Sequence, residues 1–151
     1  MFEVLVYLYE NYWRPDACPE SRQLRRKLSA VGFEADEIQD ALRWLDGLAN
    51  NADVQRLGEP AATSSRVYTA AEHEALGEAS IGFVAFLESA GVLPPAMREL
   101  VIERALAVGA APIDLDDLKI IVLMVFWSLG EEPDALILDE LSADIGDRTI
   151  H

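Results

Sequence analysis

The sequence is poor in nearly every residue that carries chemistry by itself. Cys18 is its one cysteine among 151 residues, so no intramolecular disulfide can form, and a lone thiol points to a reducing compartment. Histidine occurs twice, as His73 and His151. His73 falls in the first turn of a predicted helix between Glu72 and Glu74. Neither histidine belongs to a nucleophile motif of the G-x-S-x-G or cysteine-protease type, so nucleophile–base catalysis is not expected. Zinc wants a tetrahedral set of Cys, His and carboxylate ligands, which one cysteine and two distant histidines do not supply. Asp114-Leu-Asp116-Asp117 begins like a calcium loop. It then has Lys119 where the loop needs glycine and Val125 where it needs the closing glutamate, and Asp114 suits a helix N-cap instead. Phosphate-cradling loops are missing too: neither G-x-x-x-x-G-K nor G-x-G-x-x-G occurs. The expectation is no catalytic residue, no metal, no cofactor and no enzyme.

Long apolar runs are also lacking. The longest, Ile120 to Trp127, falls well short of the roughly 20 residues a helix needs to span a bilayer, and reads as a buried helix. Met1-Phe2-Glu3 opens without a basic n-region, and no small-residue cleavage site follows Tyr12-Trp13-Arg14-Pro15. A cytoplasmic protein without a membrane partner is expected.

Positive charge is scarce: 12 Lys/Arg stand against 27 Asp/Glu, a net of −15. Residues 1–69 hold 8 bases and 11 acids (−3), whereas residues 70–151 hold 4 and 16 (−12). Binding to a phosphate backbone requires positive surface. The C-terminal half is therefore excluded as a nucleic-acid contact, and the N-terminal half qualifies only through a local patch.

What the chain does have is helical periodicity. Phe2, Leu5, Leu8, Tyr9 and Tyr12 form one stripe, stopped by Pro15. Pro19 suits the first turn of a second helix, whose Leu24, Leu28 and Val31 share a face and which Gly32 ends. A third helix starts near Ala35, with Ile38, Leu42, Leu45 and Leu48 inward and Asp36, Glu37, Asp40 and Asp46 outward. Residues 50–69 admit two readings, a small hairpin built on Val54–Leu57 and Arg66–Thr69 or a mobile linker. Thr69-Ala-Ala-Glu72 has capping-box spacing, so a fourth helix should start there and carry Leu76, Phe83, Phe86 and Leu87 to Gly91. A fifth runs from Pro95 to Val108. A sixth, from Asp114 to Ser128, is apolar almost all round and should be central. A short segment from Pro133 to Leu141 precedes an acidic tail. The fold class is thus mainly α: a winged-helix-like half with a hairpin or linker at 50–69 (residues 1–69), then an acidic helical bundle (residues 70–151).

Two charged features stand out. Arg22, Arg25, Arg26 and Lys27 lie on the second helix, the three arginines on a face away from Leu24 and Leu28. They could contact an acidic partner or a phosphate backbone, or pair with the protein's own acid surplus. Arg104 falls between the inward positions Val101 and Val108, and a buried charge needs a partner; Glu88, Asp114 and Asp116 are the candidates. Lys119, opening the apolar helix, is expected to snorkel.

Several segments together carry a family resemblance. The chain opens Met1-Phe2-x-Val4-Leu5-x-Tyr7-Leu8-x-Glu10-x-Tyr12 and continues with Gly32-Phe33-x4-Ile38-x2-Ala41-Leu42-x-Trp44-Leu45. Arg66-x-Tyr68-Thr69-x2-Glu72 and Gly82-Phe83-x2-Phe86-Leu87-Glu88 follow. The most specific pieces are Arg98-Glu99-x-Val101-Ile102-Glu103-Arg104-Ala105 and Leu115-x-Asp117-Leu118-Lys119-x2-Val122-Leu123-Met124-Val125. In this order they resemble the bacterial Smg family over nearly the whole chain. Departures are Ile81, where members tend to carry Arg before Gly-Phe, and Ile120, where they tend to carry Trp after Leu-Lys. The resemblance implies no established activity, catalytic residue or cofactor. The function expected is a non-enzymatic interaction or adaptor role with a protein partner. The alternative is a nucleic-acid-associated regulator acting through the winged-helix-like half.

Overall fold

Local signals in the chain set the helix ends. The computed structural model describes residues 2–12, 20–57, 68–109 and 112–129 together with Asp139, with the backbone alone at 50–57. Among these residues the elements are α1 (Phe2–Asn11), α2 (Ser21–Val31), α3 (Ala35–Leu57), α4 (Ala70–Ser89), α5 (Pro95–Val108) and α6 (Leu115–Leu129), with no strand. Gly32 closes α2 in the left-handed region at φ 118°, a conformation only glycine adopts without a steric penalty. Thr69 and Glu72 form the expected capping box. The Glu72 amide donates to Thr69 Oγ1 at 3.1 Å and the Thr69 amide to Glu72 Oε1 at 2.9 Å, so two orphan donors are satisfied reciprocally. Pro95 occupies the first turn of α5, where its missing N–H leaves no bond unmade.

The core is organised around α6. Every residue from Leu118 to Trp127 is buried, and α6 packs against α1, α3, α4 and α5. A helix apolar all round can be stable only when surrounded in this way. At about 1.5–3 kcal/mol for each large apolar side chain removed from water, α6 supplies a large share of the burial. Trp127 Nε1 donates to the Tyr12 carbonyl at 2.7 Å, tying the end of α6 to the end of α1. One hydrophobic cluster therefore draws on residues from Val4 to Trp127. By contrast α2 packs on α3 and buries only Leu24 and Leu28, leaving most of its surface to solvent.

Three expectations change. The first arm of the expected hairpin, Val54–Leu57, is a continuation of α3; of the second arm, Arg66 and Val67 lie outside the described residues, and Tyr68 and Thr69 are not in a strand. A long helix here keeps its backbone hydrogen bonds within one segment and needs no partner strand. Second, α4 is broken at Gly77, which adopts φ 79° and ψ 162°, a region essentially confined to glycine. The carbonyl of Ala75 is taken up instead by the Ile113 amide at 2.9 Å. A Cβ at Gly77 would stand 3.3 Å from Pro112 Cβ, so the break and the close approach of the 112–113 segment go together. Third, Phe86, expected inward, is 52% exposed. The break resets the helical phase, and the second part of α4 buries Ser80, Val84 and Leu87. The stripe counted from Leu76 straight through Gly77 therefore does not hold. Cys18, His151, the expected helix at 133–141 (Asp139 apart) and the acidic tail lie outside the described residues.

Candidate functional site

Two groups of cations, on α5 and on α2, are handled in opposite ways. On α5, Arg98 and Arg104 are 6% and 7% exposed. Arg98 donates through Nε to Glu99 at 2.9 Å and through Nη1 to Glu88 on α4 at 3.2 Å. Burial by itself lowers its pKa, but the hydrogen bonds and charges of Glu99 and Glu88 outweigh that, and the net shift is upward from the ordinary arginine value. A cation whose folded pKa is raised contributes stability fully present below the unfolded pKa and lost only as pH rises through the folded value. Arg98 is therefore a fixed charge at any working pH. It joins α4 to α5 and has no proton to offer catalysis.

Arg104 corrects the expectation from sequence. Its partners are neither Glu88, which Arg98 holds, nor Asp114 or Asp116. Its side chain crosses to α3 instead. Its neighbour Glu103 grips the guanidinium in a bidentate pair, Nε and Nη2 donating at 2.5 and 2.6 Å. Nη1 donates to the Trp44 carbonyl at 2.8 Å, and the guanidinium carbon lies 5.6 Å from the centre of the Trp44 ring, within cation–π range. Trp44 reciprocates, its Nε1 donating to the Arg104 carbonyl at 3.1 Å. Each side chain thus satisfies the other's main chain across the α3–α5 contact. The guanidinium rests on α3 at Gly47, where a Cβ would come within 2.5 Å of Nη1 and 2.9 Å of the guanidinium carbon. This clamp was missed from sequence, although an isolated glycine inside a helical pattern, three residues after a tryptophan, is the kind of signal that marks a close approach.

Beside the clamp runs a cleft of about 500 Å³, lined by Phe2, Asp40, Arg43, Trp44, Gly47 and Arg104 among others. Its Trp44 and Arg104 are engaged with one another, and its other charged lining residues, Asp40 and Arg43, are exposed. Lys119 is 7% exposed, and its Nζ sits 5.6 Å from the Phe83 ring centre. Among the described residues no three His, Cys, Asp or Glu side chains are grouped to hold a metal ion, and no helix is long and apolar enough to cross a membrane.

On α2 the arrangement is reversed. Arg22, Arg25, Arg26 and Lys27 are all exposed, and none has an ion pair among the described residues. Among the described residues, the pairing with the protein's own acids that the sequence allowed is not found there. The face also runs against helix energetics. Arg22 lies in the first turn, at the positive end of the dipole, and Glu20 at the N-cap makes no side-chain capping bond. Arg22 and Arg26, four apart, repel by a few tenths of a kcal/mol.

The comparisons with known proteins agree over the whole chain. The family model described as "Protein of unknown function (DUF494)" matches residues 1–151. A Protein Smg homolog from Methylibium petroleiphilum is 70% identical over 151 residues, covering 100% of both chains. Those from Leptothrix cholodnii and Bordetella pertussis are 68% and 53% identical, again over 100% of each chain. No solved structure matches the chain. Both the family model and the relatives span the segments that carried the resemblance, and on those grounds the chain belongs to the Smg family, DUF494.

Proposed function

We propose that this chain is a non-enzymatic interaction protein, an adaptor that engages an acidic protein partner through the arginine face of α2. One observation carries the reading: four exposed cations without ion pairs among the described residues, in a chain of net charge −15. Placed for stability alone, arginines would avoid the first turn of a helix and each other. Placed for a partner, they form a planar-donor surface suited to carboxylates. The buried arginines support the same reading from the other side, because each is consumed in holding helices together. The partner is bound on a cytoplasmic protein's surface, with no chemistry performed on it.

Crosslinking in cells with the full chain tests this. The wild-type protein should capture a partner reproducibly, with the linked partner peptides rich in Asp and Glu. The variant Arg22→Glu/Arg25→Glu/Arg26→Glu, still helical and melting cooperatively, should lose them. Unchanged capture by the charge-reversed variant would remove the α2 face from the interaction, and turnover of a metabolite by the purified protein would sink the non-enzymatic reading.

The second reading is a nucleic-acid-associated regulator using the same arginines, with α1–α3 acting in a winged-helix-like order. Phosphate backbones suit arginine equally well. However, Asp36, Asp40 and Asp46 are exposed on α3, where a groove-reading helix would need neutral or basic residues. Salt-dependent binding of a DNA or RNA duplex by the full chain, lost in the same triple variant, would favour this reading over the first.

A further inference from the structure

We propose that the cleft beside the Trp44–Arg104 clamp, between α1, α3 and α5, binds a short apolar peptide whose two termini are free, about three residues long. The inference is separate from the α2 face and uses none of its residues.

The cleft has the scale and the walls for such a ligand. Its volume of about 500 Å³ falls within the roughly 300–1,000 Å³ of ligand clefts. Trp44 and Arg104 lie buried along it, and Phe2 and Val108 offer half-buried apolar side chains. Gly47, without a side chain, lets the guanidinium rest against α3 inside the cleft.

The polar groups select the ligand. Of the five N–H groups on Arg104, two go to Glu103 and one to the Trp44 carbonyl. One on each Nη has no acceptor among the described residues, and two such donors suit the two oxygens of a carboxylate. Arg43 and Asp40 are exposed, and neither has an ion pair among the described residues. They stand three apart on α3, a spacing at which opposite charges can join, yet each keeps its charge unmatched. Arg43, next to Trp44 in the chain, adds positive charge for the carboxylate. Asp40 offers an acceptor for an ammonium group. The last turn of α5, which lines the cleft through Ala107 and Val108, adds the negative end of a helix dipole.

These charges decide among ligand classes. A simple anion would leave Asp40 unmatched and meet the field of a chain of net charge −15. A simple cation would meet Arg43 and Arg104. A zwitterion matches both signs and, being neutral overall, is not repelled. Spacing then sets its length. Asp40 precedes Gly47, where the guanidinium rests, by seven positions, about 10 Å along a helix axis. The two charges of a free amino acid are too close together to span that. An extended chain advances about 3.3–3.6 Å per residue, so three residues cover the distance.

Titration of the full-length protein with the tripeptide Ala-Leu-Ala, followed by nuclear magnetic resonance, tests the proposal. The Trp44 indole N–H and the Gly47 amide should shift, with a dissociation constant on the order of 0.1 mM for a ligand of about twenty non-hydrogen atoms. Acetylating the peptide's amine should weaken binding about tenfold in the wild type and hardly at all in Asp40→Asn, because both changes remove the same contact. Likewise Arg43→Gln should weaken binding of the free tripeptide more than that of its C-terminal amide. Both substitutions fall on exposed side chains, so unchanged melting is expected of each variant. Absence of shifts at Trp44 and Gly47 up to about 10 mM peptide, far above the expected constant, overturns the proposal. Equal affinity for the free and the doubly blocked peptide overturns it as well, since the charges would then play no part. L-Leucine binding as tightly as the tripeptide overturns the length assigned to the ligand.

Discussion

Arginine does two unlike jobs in this molecule, and helices α5 and α2 separate them. Arg98 and Arg104 on α5 are buried, and every charge they bring in is met by a carboxylate, with Arg104 also donating to the Trp44 carbonyl and stacking on the Trp44 ring. Arg22, Arg25 and Arg26 on α2 stand in solvent, unpaired among the described residues. The first pair explains how three helices are locked; the second explains nothing about the fold. A buried charge must be compensated or it destabilises the structure by several kcal/mol. An exposed one is already solvated, so its position is free to answer to something outside the molecule. The contrast teaches that charge not needed internally is where a candidate surface is to be sought.

The comparison breaks most visibly at Arg104. Arg104→Met should keep the volume but strip the Trp44 carbonyl and Glu103 of their donors, lowering stability by about 3 kcal/mol, measured by chemical denaturation. A loss below about 1 kcal/mol would mean that the clamp is ornamental. Gly47→Ala comes next. Its new Cβ would displace a guanidinium pinned on both sides, destabilising by about 1–2 kcal/mol despite the better helix propensity of alanine. Combined with Arg104→Met the same change should become neutral or stabilising, because the obstructed group is gone and the propensity gain remains. Additive losses in that double variant would show that Gly47 serves something other than Arg104. The smallest stability effect belongs to α2: Arg22→Gln/Arg25→Gln/Arg26→Gln should shift stability by no more than about 0.5 kcal/mol, with the sign toward stabilisation as like-charge repulsion is relieved. A large loss in thermal melting would transfer these residues to the structural class and undo the contrast.

Most of the fold is legible along the chain because its signals are local. Gly32, the Thr69/Glu72 box and Pro95 mark ends by what a backbone can and cannot do within four residues. The unbroken apolar run of α6 announces a helix that must be surrounded. Where the sequence misleads, the deciding contact comes from far away. Val54–Leu57 has strand-compatible residues but continues a helix. Phe86 leaves the apolar stripe because Gly77 interrupts α4 where the 112–113 segment crosses it, a phase change that periodicity counted along α4 does not register. Arg104 shows the same limit at a site: its burial is visible from Val101 and Val108, yet its partners are not. The carboxylates expected from sequence were Glu88, Asp114 and Asp116. The actual partners are Glu103 beside it and the main chain of Trp44, sixty positions away in sequence.

By itself, then, the sequence determined the helical class, the family, the central place of α6 and the presence of a basic face on one helix of an acidic protein. These follow from composition, periodicity and capping, which act over a turn or two. Only the tertiary structure decided which cations are spent on the fold and which are left over. Whether a charge finds a partner depends on the three-dimensional approach of distant helices, and it is that approach, closing over α5 and leaving α2 open, that singles out the candidate surface.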